Sequence, residues 1–235
     1  MSTEQVTSSG DTMGKSFLRT AIIRFAGMFV VLGLMFFLTA WTVYYWWAWI
    51  YLLLLAIPAA FLARYLYKNN PELLERRMRM KERLQGQKLI VGLSWIFFLA
   101  TFLIPGFDFR FGWSQMPLWL IILSQALVLA GYSIVAWVFK VNSYASRIVQ
   151  VETGQKVVTT GPYAIVRHPM YVGVIIFYVF SPPALGSYWA VITALCIVPF
   201  IVARTIGEEK ELMANLAGYR EYAMKTRYRL LPGVW

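Results

Sequence analysis

Two groups of polar side chains at the ends of apolar segments have residue types and spacings that could support chemistry. Arg167 and the only histidine, His168, directly precede a proline that begins an apolar segment. Glu208 and Glu209 follow another apolar segment, and Arg204 lies one helical turn before Glu208, on the same helix face. Arginine and histidine at a helix start attract an anionic group, and a nearby glutamate attracts sugar hydroxyls or a cation. Together the two groups favour a zwitterionic ligand that contains a sugar.

A purely structural role could also account for these residues. Arginine and histidine at a membrane boundary commonly extend toward lipid head groups, and proline is a normal first residue of a helix. Arg204 and Glu208 could form a plain ion pair of little energetic value. The residues alone leave both explanations open.

The composition predicts an all-α integral membrane protein. Of the 235 residues, 59% are hydrophobic and only 14% are charged, whereas soluble domains carry about 25% charged residues. The net charge of +11 suits the anionic head groups of a lipid bilayer. We expect no nucleic-acid partner, because no basic soluble module with interleaved aromatic residues is present.

About six membrane-spanning helices are predicted from the uncharged segments. The region 25–63 is long enough for two helices that turn at the aromatic cluster 41–49, since tryptophan and tyrosine favour the membrane interface. Pro105 and Gly106 are expected to end the third helix. The remaining predicted spans are 89–104, 117–139 and a pair within 169–203 that turns at 181–187.

The distribution of basic residues predicts that both termini are cytoplasmic. Twenty-one of the 22 lysines and arginines fall on one side of a six-span topology, and only Arg110 falls on the other. Cytoplasmic loops carry this excess of basic residues. If the organism is a bacterium, the membrane would be its inner one. Residues 1–20 are polar and are predicted to form a disordered cytoplasmic tail, followed by four spans over 21–139 with a basic amphipathic loop at 69–88, capped by Asn70.

Several classes of enzyme are excluded by missing motifs. The chain has no Walker loop, no Rossmann glycine fingerprint and no nucleophile elbow. A single histidine and the single Cys196 cannot make a zinc site, so no metal is expected. The segment 151–158 is predicted to form a short extended hairpin that turns at 153–154.

The C-terminal part of the chain resembles the isoprenylcysteine carboxyl methyltransferase family. The resemblance rests on "GPYAIVRHPMYVG", on "RTIGEEKEL" after a helical hairpin, and on "YREYAMKTRYRLLP", and it covers residues 142–235. The wider group includes membrane phospholipid N-methyltransferases. The resemblance implies a membrane enzyme that binds S-adenosylmethionine without a Rossmann fold and methylates a lipid-like substrate. It places the cofactor-binding core in residues 140–235.

The resemblance also assigns roles to individual residues. The backbone of residues 155–158 would read adenine, Tyr163 would close over it, and His168 suits the methionine carboxylate. Arg204 matches a position associated with catalysis and substrate binding, where its guanidinium could grip a carboxylate. Arg167, also placed in the catalytic group, would orient its loop, and Gly173 would permit close helix packing. The implied cofactor-binding residues are Gln150, Gln155, Lys156, Val157, Val158, Tyr163, His168, Pro169, Met170, Tyr171, Glu208 and Glu209.

The chemistry of methyl transfer from S-adenosylmethionine favours carboxyl O-methylation of a prenylcysteine or a similar amphipathic acid. A carboxylate is ionised at pH 7 and needs no base, whereas an amine must first lose a proton, for which Glu209 is the one candidate. Phospholipid N-methylation is the alternative. A membrane sterol or isoprenoid reductase that binds NADPH is an alternative of another class, and a membrane scaffold without activity is a fourth possibility.

Overall fold

The described part of the chain is helical and contains no strand. The structure is a computed structural model and describes residues 3–78, 85–145, 151 and 154–235. A 3₁₀ turn at Gly161–Ala164 lies between the fifth and sixth α-helices. The α-helices are α1 (Thr3–Ala40), α2 (Trp46–Asn69), α3 (Pro71–Met78), α4 (Gln85–Phe111), α5 (Leu118–Val141), α6 (Pro169–Ala184), α7 (Trp189–Asn215) and α8 (Tyr219–Lys225).

The long apolar helices confirm an all-α integral membrane fold. Five of them are long and apolar enough to cross a bilayer, and α6 is a sixth, shorter apolar helix. At about 1.5 Å per residue, the 16 residues of α6 measure about 24 Å, less than the roughly 30 Å of the hydrocarbon core. The other spans are Arg19–Ala40, Trp46–Asn69, Gly92–Phe111, Leu118–Val141 and Trp189–Asn215.

Helix α1 begins at Thr3, whereas the sequence analysis expected a disordered tail over residues 1–20. Extending a helix adds one hydrogen bond for each residue that is fixed, so the apolar part of α1 supports helical turns before it. Asn70 caps α3 as predicted, because its side-chain oxygen accepts a hydrogen bond from the N–H of Leu73 at 3.1 Å. Residues 79–84 of the predicted amphipathic loop lie outside the described part.

The prediction that Pro105 and Gly106 end the third span at residue 104 is wrong, because α4 continues to Phe111. The reason is the contact between α4 and α1. A Cβ atom at Gly106 would lie 1.8 Å from Thr39 Oγ1, so only glycine allows this approach. Proline inside a membrane helix is tolerated where neighbouring helices compensate for its missing N–H.

Helices α5 and α6 cross at a pair of glycines, which confirms the predicted close packing at Gly173. A Cβ atom on Gly173 would lie 2.7 Å from the carbonyl oxygen of Gly131, and a Cβ atom on Gly131 would lie 2.7 Å from that of Gly173. Both contacts are with backbone, which cannot rotate away as a side chain can. This crossing fixes the first turns of α6 against the middle of α5.

We expect Gly173→Ala to destabilise the protein by about 1–3 kcal/mol, because overpacking a close contact forces the backbone apart. The measurement is the thermal unfolding midpoint in detergent. Gly27→Ala is the matched control, since nothing lies within 4 Å of the added methyl group and alanine favours a helix over glycine. Equal midpoints for Gly173→Ala and the wild type would contradict the close crossing.

A buried carboxylate joins two turns at the end of the bundle where α4 ends. The backbone N–H of Ser114 donates to Asp108 Oδ1 at 2.7 Å, and its hydroxyl donates to Asp108 Oδ2 at 2.6 Å. The hydroxyl of Ser187, in the turn between α6 and α7, donates to the same Oδ2. Asp108 is only 2% exposed. It therefore ties the α4–α5 turn to the α6–α7 turn, a role that the sequence analysis did not anticipate.

Candidate functional site

An open cleft lies at the opposite end of the bundle, where α5 ends and α6 begins. It holds about 660 Å³ of space, its open mouth and the adjoining solvent included. Its wall combines tyrosines, carboxylates and aliphatic side chains. The lining residues are Asn142, Tyr144, Ala145, Gln155, Lys156, Val157, Val158, Tyr163, Arg167, Met170, Glu208, Glu211, Leu212, Leu216, Tyr219 and Tyr222.

The chain after α7 folds back to complete this wall. Gly218 precedes α8 with a φ of +81°, a left-handed conformation that glycine adopts without strain. After α8 the backbone runs beside the start of α6. There the N–H of Arg167 donates to the carbonyl of Tyr228, and the N–H of His168 donates to that of Arg229, both at 2.9 Å. These bonds bring α8 and its tyrosines to the cleft.

Residues 155–158, which the resemblance assigns to the cofactor site, line the cleft. None of the described residues between 151 and 159 is in a strand, so the predicted hairpin is not observed there, and residues 152 and 153, which include half of its turn, lie outside the described part. The reason lies in the contacts: Val157 packs in an apolar cluster with Leu216 and Tyr219, so side-chain packing on α7 and α8 holds the segment instead. Gln150 lies outside the described residues.

Tyr163 is fixed at the cleft by hydrogen bonds on both sides. Asn142 Nδ2 donates to the Tyr163 hydroxyl at 2.7 Å, and the Tyr222 hydroxyl donates to the Tyr163 carbonyl at 2.8 Å. Burial raises the pKa of Tyr163, and it raises the pKa of Tyr222 to about 12. Both phenols are therefore neutral at pH 7 and can donate hydrogen bonds.

Glu209 lies in an ion triad with buried Arg167 and half-exposed Arg229 rather than in the cleft wall. Arg167 Nε lies 2.6 Å from Glu209 Oε1, and Arg229 Nε donates to Glu209 Oε2. Glu209 is 4% exposed and Arg167 is 7% exposed. The Nη1 group of Arg167 also donates to the carbonyls of Thr226 and Arg227, at 2.9 and 2.8 Å. Arg167 thus holds the C-terminal segment in place, which agrees with the predicted orienting role, whereas Glu209 does not face the cleft as a cofactor ligand would.

His168 lies behind the wall, in contact with a residue that forms it. It is 5% exposed, and its Nε2 atom lies 3.5 Å from the Tyr219 hydroxyl. Burial lowers the pKa of His168, and this effect is larger than the opposing attraction of Glu208 and Glu209. The structure therefore holds a neutral imidazole. Pro169 is also buried outside the wall, while Met170 lines it.

The lowered pKa of His168 predicts a pH-dependent stability. The unfolded chain binds a proton at this residue below about pH 6.5, while the folded protein does not. The contribution of His168 to the free energy of unfolding is therefore fully present above pH 6.5. It falls by at most about 1.4 kcal/mol per pH unit as the pH drops toward the pKa of His168 in the folded protein. His168→Gln should show a flatter thermal unfolding midpoint between pH 7.5 and 5. Identical pH profiles would contradict a buried neutral imidazole.

Tyr171 connects Glu208 with Arg204. Its hydroxyl donates to Glu208 Oε2 at 2.5 Å and accepts from Arg204 Nε at 3.2 Å. Tyr171 is 7% exposed. Glu208 lines the cleft, whereas Arg204 and Tyr171 are not among its lining residues, and Arg204 is half-buried. The two residues that the sequence placed on one helix face are thus joined through a third side chain.

Several wall residues were missed by the sequence analysis. The signal that could have found Tyr219 and Tyr222 is their i, i+3 spacing in a charged segment, which puts both on one face of α8. Glu211 follows Glu208 at the same spacing. The remaining missed wall residues are Asn142, Tyr144, Ala145, Leu212 and Leu216.

Comparisons with known proteins agree with the resemblance seen in the motifs. The sequence model of the isoprenylcysteine carboxyl methyltransferase (ICMT) family matches residues 119–214. No curated protein matches the sequence. Among solved structures, a eukaryotic intramembrane Ras methyltransferase ICMT, solved without a monobody, is similar with a TM-score of 0.54 at 16% identity, over 96% of this chain and 85% of that one.

The two matches agree, because the family model covers α5, α6 and α7, which form part of the cleft, and the solved structure shares the arrangement of nearly the whole chain. Residues 119–214 therefore match the isoprenylcysteine carboxyl methyltransferase family, in agreement with the C-terminal motifs, and the chain as a whole is similar in fold to the solved membrane methyltransferase.

Proposed function

We propose that the protein transfers a methyl group from S-adenosylmethionine to the carboxylate of a lipid-like acid, of which isoprenylcysteine is the model. The observation that carries the proposal is that the cleft brings Glu208 together with residues 155–158, Tyr163 and Met170. These residues come from three separate parts of the chain, and the family resemblance had assigned all of them to the cofactor.

The chemistry of the cleft wall fits this cofactor. Val157, Val158 and Leu212 offer apolar surface for a flat base, and the carboxylates of Glu208 and Glu211 can accept hydrogen bonds from ribose hydroxyls or from an ammonium group. The wall thus offers a partner for each part of a charged nucleoside.

Orientation and exclusion of water are what these residues would contribute to the reaction. When bound, S-adenosylmethionine supplies a sulfonium methyl group that a carboxylate oxygen can accept by direct displacement, which yields a methyl ester and S-adenosylhomocysteine. Tyr163 and Glu208 would fix the cofactor, and Arg204 would hold the acceptor carboxylate. Such a displacement depends on alignment and desolvation rather than on a base.

The position of Glu209 favours an acid over an amine as the acceptor. An amine must lose a proton before it attacks, and Glu209 was the candidate base in the sequence. In the structure its carboxylate contacts Arg167 and Arg229, and Glu209 is not among the residues that line the cleft. It is therefore not placed to take a proton from an amine bound there. Phospholipid N-methylation would instead give methylated phosphatidylethanolamine when cells express the protein.

The cleft would face the cytoplasm, where S-adenosylmethionine is made. The basic residues support this orientation, since 21 of 22 fall on the side of both termini. The exception, Arg110, stacks on Trp41 at the other end of the bundle, with its guanidinium carbon 4.2 Å from the ring centroid. Reporter fusions at residues 85 and 155 should both read as cytoplasmic, and a fusion at residue 113 as external.

The test of the proposed function is cofactor binding by the protein purified in detergent. We expect saturable binding of S-adenosylhomocysteine and none of NADPH. We also expect methyl transfer to N-acetyl-S-farnesylcysteine, the simplest soluble molecule with a prenylcysteine carboxylate. Binding of NADPH alone would instead support a membrane reductase, and binding of neither ligand would overturn the proposal.

A further inference from the structure

The hydroxyl of Tyr171 links Glu208, on the wall of the cleft, to Arg204. It donates to Glu208 Oε2 at 2.5 Å and accepts from Arg204 Nε at 3.2 Å. Phenylalanine could do neither, and serine or threonine at this position of α6 would not reach α7. Tyr171 is only 7% exposed, so water cannot readily replace its hydroxyl in these two hydrogen bonds.

We propose that Tyr171 is a positioning residue that couples binding of the cofactor to binding of the acceptor acid. This inference rests on the proposed function, in which Glu208 contacts the cofactor and Arg204 contacts the acid. Because a guanidinium is planar and rigid, a bond at Nε fixes the plane in which the whole group lies. A ligand that holds the Glu208 carboxylate in one orientation therefore also restricts the Arg204 guanidinium, through the Tyr171 hydroxyl.

The sign of the coupling follows from the entropy of ordering. The first ligand that orders Glu208 or Arg204 also orders its partner through Tyr171, so the second ligand loses less conformational freedom when it binds. Each ligand should therefore raise the affinity of the other by the same factor. The coupling is expected in the range of about five- to tenfold, the lower end of typical values.

S-adenosylhomocysteine is the appropriate cofactor probe for this coupling. S-adenosylmethionine carries a positive sulfonium that would attract a nearby acid directly, and that attraction would add to the affinity without any role for Tyr171. The thioether of S-adenosylhomocysteine is neutral. A coupling measured with this probe therefore reflects contacts within the protein rather than a direct attraction between the two ligands.

The experiment measures the Kd of N-acetyl-S-farnesylcysteine with and without saturating S-adenosylhomocysteine, on full-length protein in detergent. In the wild type we expect the Kd to fall about five- to tenfold when the cofactor product is present. In Tyr171→Phe we expect the two Kd values to agree within twofold. If that variant fails to fold, Tyr171→Met removes the same hydroxyl with a more flexible side chain and carries the same expectation.

Tyr51→Phe is the matched control. Its hydroxyl lies 2.5 Å from Ser181 Oγ, so this variant also removes a buried tyrosine hydroxyl that contacts α6, but at a distance from the cleft. We expect it to keep the wild-type coupling. A merely structural effect of losing a buried hydroxyl would lower the coupling in both variants alike.

The outcomes separate the inference from the proposed function. If the wild type binds neither ligand, the proposed function fails and the inference fails with it. If the wild type binds both ligands without coupling, or if Tyr171→Phe retains the coupling, the inference alone is overturned. Loss of coupling in Tyr171→Phe but not in Tyr51→Phe would support it.

Discussion

Glu208→Gln is expected to weaken binding of S-adenosylhomocysteine roughly 10- to 100-fold, because a hydrogen bond to a charged group contributes about 1.5–3 kcal/mol. Glutamine keeps an oxygen that can accept from the Tyr171 hydroxyl, so the fold should be preserved. The thermal unfolding midpoint should therefore stay within a few degrees of the wild type. Both quantities can be measured on one detergent preparation.

The neighbouring Glu209→Gln is the natural comparison, and it should show the opposite pattern. Removing this charge leaves Arg167 and Arg229 facing each other without a counter-charge. Breaking a buried ion pair in this way typically costs about 3–5 kcal/mol, which should lower the unfolding midpoint markedly. If both variants lost cofactor affinity equally at unchanged stability, the assignment of the two glutamates to different roles would be wrong.

Arg204→Lys is expected to reduce methyl transfer roughly 10- to 100-fold while S-adenosylhomocysteine binds within about threefold of the wild type. Lysine keeps the positive charge but loses the planar fork and the Nε atom that meets Tyr171. The loss of a charge-assisted hydrogen bond corresponds to about 1.5–3 kcal/mol. Turnover and product affinity should be measured on the same purified variant.

Arg220→Lys is the control for this substitution. Arg220 also uses its Nε atom, which donates to the carbonyl of Met213 at 3.2 Å, but it is exposed on α8. We expect it to keep wild-type turnover. Full activity in Arg204→Lys, or an equal loss of turnover and cofactor affinity, would rule out a role of Arg204 in gripping the acceptor.

The membrane helices could be predicted because bilayer insertion depends on simple properties of the chain. Uncharged length and aromatic clusters located α1, α2 and their turn, which lies between Ala40 and Trp46. Pro105 misled the prediction for α4, because a proline ends a helix in water but not where neighbouring helices bury it. Its effect depends on the contact of Gly106 with α1, which is distant in sequence.

The residues of the cleft were predictable only in part. Glu208 and Glu209 are adjacent and chemically identical, yet one lines the cleft and the other pairs with two arginines. Their directions differ by about 100° on a helix, and no local pattern says which direction faces the ligand. The motif predicted a role for Glu208 at the site. Only the structure shows that Arg229, 20 residues later in the sequence, donates a hydrogen bond to Glu209.

The buried carboxylate of Asp108 has a consequence for biogenesis. During synthesis α4 and α5 enter the membrane before the chain that forms α6 and α7 is complete, so Asp108 is inserted while Ser187 is still absent. An aspartate near the middle of an inserting helix costs about 2.5–3.5 kcal/mol, although its place near the end of α4 reduces this. Ser114 can satisfy part of the carboxylate at once, and Ser187 completes it later. Asp108 thus makes the final position of α4 depend on a later step of synthesis. Until α6, α7 and the turn between them are inserted, the carboxylate favours an α4 whose end stays close to the water surface. Ser187→Ala should therefore slow the appearance of protease-resistant protein during cell-free synthesis with membranes. Ser133→Ala should not, because the Ser133 hydroxyl donates to the carbonyl of Leu129 on its own helix.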